Sequence, residues 1–218
     1  MAVKLVSYSS AAPQGPLLDA SLIDLVAYCA RVSNPSNQMN KKTAKGLVKY
    51  LIKHKHWSPL EMVSICLEIE TTRDIARQIL RHRSFTFQEF SQRYADPTED
   101  LYFVRRGARM QDKENRQNSL PCTDQKLLDH WDMKQQAVIA VASDAYRWAI
   151  DHGIAKEQAR ALLPEGCTMS RMYVNGSLRS WIHYIDLRGA NGTQLEHIYI
   201  AQECAKVINE VFPLDGIR

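Results

Sequence analysis

The sequence predicts an α+β fold, a small mixed sheet flanked by helices, in one domain spanning residues 1–218. Two observations carry this. Segments of period two and segments of helical period are both present, and they do not alternate regularly as a doubly wound parallel sheet requires. The 218 residues, 45% hydrophobic and 24% charged, suffice for one large core and have an ordinary globular composition.

VKLVSYS near the start alternates weakly and reads as a strand. From Asp19 to Val32, apolar residues such as Leu22, Val26 and Cys29 recur at helical spacing behind an aspartate suited to N-capping. A second helix runs from Lys41 to Lys55, and Trp57-Ser58-Pro59 ends it. VSICLEIET alternates Val63, Ile65, Leu67 and Ile69 with Ser64, Cys66, Glu68 and Glu70, the pattern of a half-buried strand. Thr72 can cap a helix through Arg81, and Phe85 to Tyr94 returns to period two. Residues 96–123 are polar and irregular, a long excursion. A long helix follows between Gln125 and His152, then a shorter one from Lys156 to Leu163 that Pro164 stops. MSRMYVNGS is strand-like, and SLRSWIHYIDLR and TQLEHIYIAQECAKVINEVF read as closing helices.

The net charge of +4 is too small to demand nucleic acid but suits an anionic small molecule in a basic pocket. Five cysteines without a C-x-x-C pair read as reduced thiols. MAVKLVSYSS lacks the apolar stretch of a signal peptide and no run reaches membrane-span length, so a cytoplasmic protein with no membrane partner is expected. Neither G-x-G-x-x-G nor G-x-x-x-x-G-K-[ST] occurs, so neither dinucleotide fingerprint nor P-loop accounts for the arginines.

The stretch RHRSFTFQEFSQRY, Arg81 to Tyr94, concentrates the chemistry. Gln78 and Arg81 share a helix face, and an extended segment after them would point Glu89, Ser91 and Arg93 to one side. A carboxylate, a hydroxyl and a guanidinium together can bind a phosphate, a ribose hydroxyl and a polar base edge. Geometry leaves two readings open: that ligand site, or a cationic helix end followed by a polar strand. Arg160, Arg179 and Arg188 are guanidiniums among apolar helical neighbours, with His183 on the Arg179 face, and such groups need an anion or a carboxylate. His54, His56 and Glu61 surround a turn without a third ligand at metal spacing, so no metal is expected. Two rivals stand beside an enzyme that uses this stretch: a single-strand-binding basic-aromatic stripe, and a pyrimidine methylase using Cys122.

Arg81-His82-Arg83, seven residues, then Ser91 resembles the R-H-R-x7-S signature of the flavin-dependent thymidylate synthases, here extended by Gln78, Glu89 and Arg93. CARVSNPSNQ is similar to that family's segment around a flavin-contacting serine, which falls on Ser33. HKHWSPLE is similar to its H-x-[ST]-P-x-E turn, which falls on His56, Ser58 and Glu61. Its A-R-x-x-L-P arginine falls on Arg160, and its C-terminal helix arginines fall on Arg179 and Arg188. Ser177 stands where the family often has asparagine, and Gly192 where some members have histidine.

The resemblance implies a homotetramer with sites at subunit interfaces, taking FAD, dUMP, methylenetetrahydrofolate and NADPH. It implies that Ser33, Ser58, Glu61, Arg81, His82 and Arg83 hold FAD, with Glu89, Ser177, Arg179 and His183. Gln78, Arg81, Glu89, Ser91, Gln92, Arg93, Arg160 and Arg188 would hold dUMP, with His56 on the folate side. The implied reaction is reductive methylation of dUMP to dTMP without a cysteine nucleophile. Arg188 is the expected catalytic residue, its charge favouring the N3 anion of uracil.

Overall fold

The structure is a computed structural model, and it describes residues 1–213. Four strands form the main sheet: β1 (Ala2–Tyr8), β2 (Ser64–Thr72), β3 (Phe85–Glu89) and β6 (Met169–Ser177). Their order is β1-β2-β6-β3, and each neighbouring pair is antiparallel. The α+β class is as expected, but the pairing is antiparallel throughout rather than mixed. β2 and β3 do run the same way, yet β6 lies between them, so no parallel ladder forms.

The alternation in β2 does what period two predicts. Ile65, Leu67 and Ile69 are fully buried on one face, joined by Met172 and Val174 of β6, while Ser64, Cys66, Glu68 and Glu70 line the other. The buried face packs against α1 (Leu22–Ala30), α2 (Ala44–Lys53), α6 (Leu178–Arg188) and α7 (Leu195–Val211). Trp181 of α6 pins that layer by donating its indole N–H to the Ile65 carbonyl at 2.9 Å. The first helix starts later than the Asp19 reading: Asp19 sits at φ 59°, outside helical geometry, and Ser21 forms the cap. Ser21 and Asp24 make a reciprocal capping box.

The helix after β2 is α3 (Arg73–Ile79), shorter than expected, and β3 ends at Glu89 because Ser91 to Ala95 form a turn. The 96–123 excursion contains a small hairpin, β4 (Arg109–Gln111) with β5 (Ser119–Pro121). Arg106 ties it down, binding Asp74 at 2.7 and 2.9 Å and Thr72 at 2.6 Å. The long α4 (Gln125–Asp151) brings Tyr146 and Ala149 against Ala159 and Leu163, a satellite core under α5 (Lys156–Ala159). That packing fixes the 3-10 turn Arg160–Leu162, which follows α5 and carries Arg160.

Candidate active site

Around the end of α3 the basic triplet divides in two. Arg81 and Arg83 are exposed, with no carboxylate partner among the described residues. His82 turns inward, edge-on to Tyr184 at 5.0 Å and to Phe85 at 6.4 Å between ring centroids. The Arg188 Nε–H donates to His82 Nε2 at 2.9 Å. Burial, and then the Arg188 charge, pushes the His82 pKa below its ordinary 6.5, so the ring is neutral and its Nε2 free to accept. Nε thus committed, Arg188 keeps its terminal N–H groups for another acceptor.

A cavity of about 400 Å³ lies beside α3, lined by Arg73, Arg77, Gln92, Glu157, Arg160 and Glu165 among others. Arg73 is 7% exposed and Gln92 3%, and Gln92 Nε2 is buried with no hydrogen-bond partner among the described residues. Burial lowers the Arg73 pKa, and Glu89 and Glu165 act to raise it. Arg73 approaches Glu89 at 3.5 Å and Glu165 at 3.8 Å, and Arg77 approaches the same two carboxylates at 3.8 and 3.4 Å. Glu89 also accepts from the Ser170 hydroxyl at 2.9 Å. Arg93 pairs with Glu157 at 3.5 Å, and the Ser91 hydroxyl accepts the Arg93 backbone N–H at 3.4 Å, closing the turn. A site with several guanidiniums, carboxylates within reach and an unsatisfied amide is chemically suited to a phosphorylated polar ligand.

Gln78 faces inward, into a buried chain of hydrogen bonds. Its Nε2 donates to Gln194 Oε1 at 2.9 Å, and its Oε1 lies 3.2 Å from His197 Nδ1. His197 Nε2 lies 3.1 Å from the Tyr184 hydroxyl, and Gln194 Nε2 donates to Glu196 at 3.0 Å. Arg109 of β4 grips Glu196 with both terminal nitrogens, at 2.6 and 2.9 Å. Burial holds the His197 pKa down to about 3. Burial alone would raise Glu196, but the Arg109 hydrogen bonds bring it to about 2.

The remaining expected residues lie elsewhere on the subunit. Ser33 lines a separate cavity of about 700 Å³ with Arg31, Asn34, Lys42 and Thr43, and none of the Arg81–Arg83 triplet reaches it. Ser58 is exposed at the start of a 3-10 turn whose Glu61 ion-pairs with Arg179. His183 is exposed and edge-on to Trp57 at 4.4 Å; exposed His56 contacts Tyr50 at 6.0 Å. The Ser177 hydroxyl caps α6, accepting from the Ser180 N–H at 3.3 Å. Cys122 is part-buried, its thiol 3.8 Å from the Asp124 carbonyl, and lines neither cavity. Among the described residues no His, Cys, Asp and Glu cluster could hold a metal, and no helix is long and apolar enough to cross a membrane.

The model of the family described as thymidylate synthase complementing protein matches residues 17–214. A probable flavin-dependent thymidylate synthase of Paramecium bursaria Chlorella virus 1 is 47% identical over 213 residues, 98% of this chain and 96% of that one. The flavin-dependent thymidylate synthase of Synechocystis sp. is 49% identical over 190 residues, covering 87% and 85%. The chain belongs to the flavin-dependent thymidylate synthase family. Its fold is shared with the UMP/dUMP methylase PolB from Streptomyces cacaoi, solved with 5-Br dUMP, at a TM-score of 0.75 and 24% identity over 96% of this chain and 90% of that one.

Sequence reasoning about this family member missed part of this arrangement. Arg73 and Arg77, with Arg81, stand at i, i+4 and i+8, a legible cationic stripe of which only Arg81 was assigned a role. Glu165, Gln194, Glu196 and His197 were not assigned either. Gln194 and His197 are three apart at the start of α7, a spacing that places two polar groups on one helix face.

Proposed function

We propose that this chain, residues 1–218 acting as one domain, reductively methylates dUMP to dTMP, taking its carbon from methylenetetrahydrofolate and its reducing equivalents from NADPH through FAD. The observation that carries the reading is the cavity that Arg73, Arg77 and Arg160 line together with Gln92, whose Nε2 has no hydrogen-bond partner among the described residues. A nucleoside monophosphate supplies an acceptor for Gln92 and a phosphate that competes with Glu89 and Glu165 for the guanidiniums, and the cavity is within the roughly 300–1,000 Å³ common for small-ligand sites.

Gln92 and Arg160 would contact the nucleotide directly; Glu89, Ser91 and Arg93, tied to the lining by the Arg73–Glu89 and Arg93–Glu157 pairs and the Ser91 turn, and Gln78 of α3 would complete the nucleotide site. The exposed Arg81 and Arg83, without a carboxylate partner among the described residues, fit the polyanionic part of FAD; Arg179, His183, Ser58 and Glu61 would also serve FAD, and His56 the folate. Bound reduced FAD supplies the hydride. Arg188, oriented by His82, directs its free N–H groups to the uracil edge, where positive charge favours the N3 anion and electron density at carbon 5. No activated cysteine is required.

Ser33 and the Arg81–Arg83 triplet do not meet within one chain, which supports a site completed by other copies in a homotetramer. Exposed apolar side chains along α4, including Trp131, Val141 and Trp148 at 44%, 71% and 56%, support burial between copies. Such a protein acts in the cytoplasm on free nucleotides, without nucleic acid or membrane.

Tritium release from dUMP labelled at carbon 5 tests the reading. Release should require FAD, NADPH and methylenetetrahydrofolate together and persist in Cys122→Ser. Release without FAD that is abolished by Cys122→Ser would instead favour thiolate addition.

A further inference from the structure

The buried chain behind Gln78 has a direction, and one end sets it. The Glu196 carboxylate, gripped by Arg109, can only accept. It therefore takes the Nε2 end of Gln194, which leaves Gln194 Oε1 facing Gln78. Gln78 must answer with Nε2, which turns its Oε1 towards His197 Nδ1. That nitrogen must then carry the ring proton, and the bare Nε2 accepts the Tyr184 hydroxyl. Reversing Gln78 alone would set donor against donor at His197 and acceptor against acceptor at Gln194. His197 is fully buried, so water has no access with which to repair the mismatch.

We infer that His197 and Glu196 are positioning residues that fix the carboxamide orientation of Gln78, leaving one amide hydrogen and one carbonyl lone pair for the nucleotide. The inference rests on the reading that Gln78 belongs to the dUMP site. None of Gln78, His197 and Glu196 lines the cavity beside α3; His197 and Glu196 act through the hydrogen bonds that reach Gln78. The ion pair of Glu196 with Arg109 also connects the β4–β5 hairpin to this orientation, so the 96–123 excursion is coupled to the substrate side chain.

dUMP affinity of the FAD-loaded full chain, measured by calorimetry, tests this with Gln78→Leu, His197→Leu, the double variant, His197→Asn and Glu196→Gln. Gln78→Leu and His197→Leu should each weaken dUMP about tenfold, about 1.4 kcal/mol, and the double variant should lose no more than either. His197→Asn keeps a donor near the Nδ1 position and should recover most of the affinity, although its thermal midpoint stays lowered by loss of the Tyr184 contact. Glu196→Gln, which can present either a donor or an acceptor, should weaken dUMP severalfold. A general loss of stability would not give this non-additivity and rescue. dUMP affinity unchanged in folded His197→Leu overturns the inference. Unchanged affinity in Gln78→Leu identifies the different failure, that Gln78 is not in the site. Imidazole ¹⁵N shifts of wild-type protein at pH 7.5 check the direction without a variant: a proton on Nδ1 supports it, and a proton on Nε2 overturns it.

Discussion

Arg188 rests a cation on a neutral imidazole: its Nε–H reaches His82 Nε2 at 2.9 Å, and the same ring packs edge-on against Tyr184. The bond needs His82 unprotonated, since an imidazolium would offer a second donor and a like charge. Burial and Arg188 hold the His82 pKa below 6.5, so kcat/KM should be level near neutrality and fall only at more acid pH. His82→Gln keeps an acceptor and should retain most turnover; His82→Ala should lose about tenfold in kcat, about 1.4 kcal/mol of transition-state stabilisation. Equal activity of the two variants would show that the orientation of Arg188 does not depend on His82.

Acid stability follows from His197 and Glu196. The folded pKa of His197, about 3, lies below the ordinary 6.5, so the unfolded chain binds the proton first and stability is lost as pH falls from 6.5 towards 3. The folded pKa of Glu196, about 2 against 4.5, gives a contribution present above pH 4.5 and lost as pH falls towards 2. Thermal midpoints should therefore begin to drop near pH 6.5 and steepen below 4.5. In His197→Leu the first of these two declines should be smaller, which midpoints at half-unit pH steps will resolve.

Which of these residues were legible in the sequence follows from how local their causes are. The alternation of Ile65, Leu67 and Ile69 is a property of β2 alone, and it predicts the buried face correctly. The R-H-R-x7-S motif is legible because its residues are close in sequence, and the family it resembles is the one to which the chain belongs. The end of β3 at Glu89 was not legible: period two continues to Tyr94, and it is the Ser91 turn that stops the strand. Nor could Gln78 be seen to face inward, because its partners Gln194 and His197 are 116 and 119 residues away. Sheet order was hidden for the same reason. Nothing in the composition of β6 says that it enters between β2 and β3.

Gly176 is required by Phe85. The two pair across β6 and β3, and a Cβ at 176 would lie 2.3 Å from Phe85 Cδ1 and 2.5 Å from Cε1. Phe85 is wedged against Trp181 at 4.7 Å between centroids and also touches His82, so it has little room to retreat. Gly176→Ala should cost about 1–3 kcal/mol in urea unfolding. Phe85→Leu in the same chain should recover part of that loss, and its failure to do so would place the strain elsewhere.

Glu165 stands where a nucleotide phosphate would compete for cations. Its Oε1 is 3.4 Å from Arg77 and 3.8 Å from Arg73, both lining the candidate nucleotide cavity. The Arg77 and Glu165 side chains are 48% and 51% exposed, so the pair contributes little to folding, within about 0.5 kcal/mol. Its effect on ligand binding is larger, because an anion must displace the carboxylate before it can use either guanidinium. Glu165→Gln should leave the thermal midpoint nearly unchanged and tighten dUMP severalfold at low salt, with the gain shrinking as salt rises. Deoxyuridine, which lacks the phosphate, should bind the variant and the wild type equally. An equal gain for both ligands would mean that Glu165 faces the base or sugar rather than the phosphate.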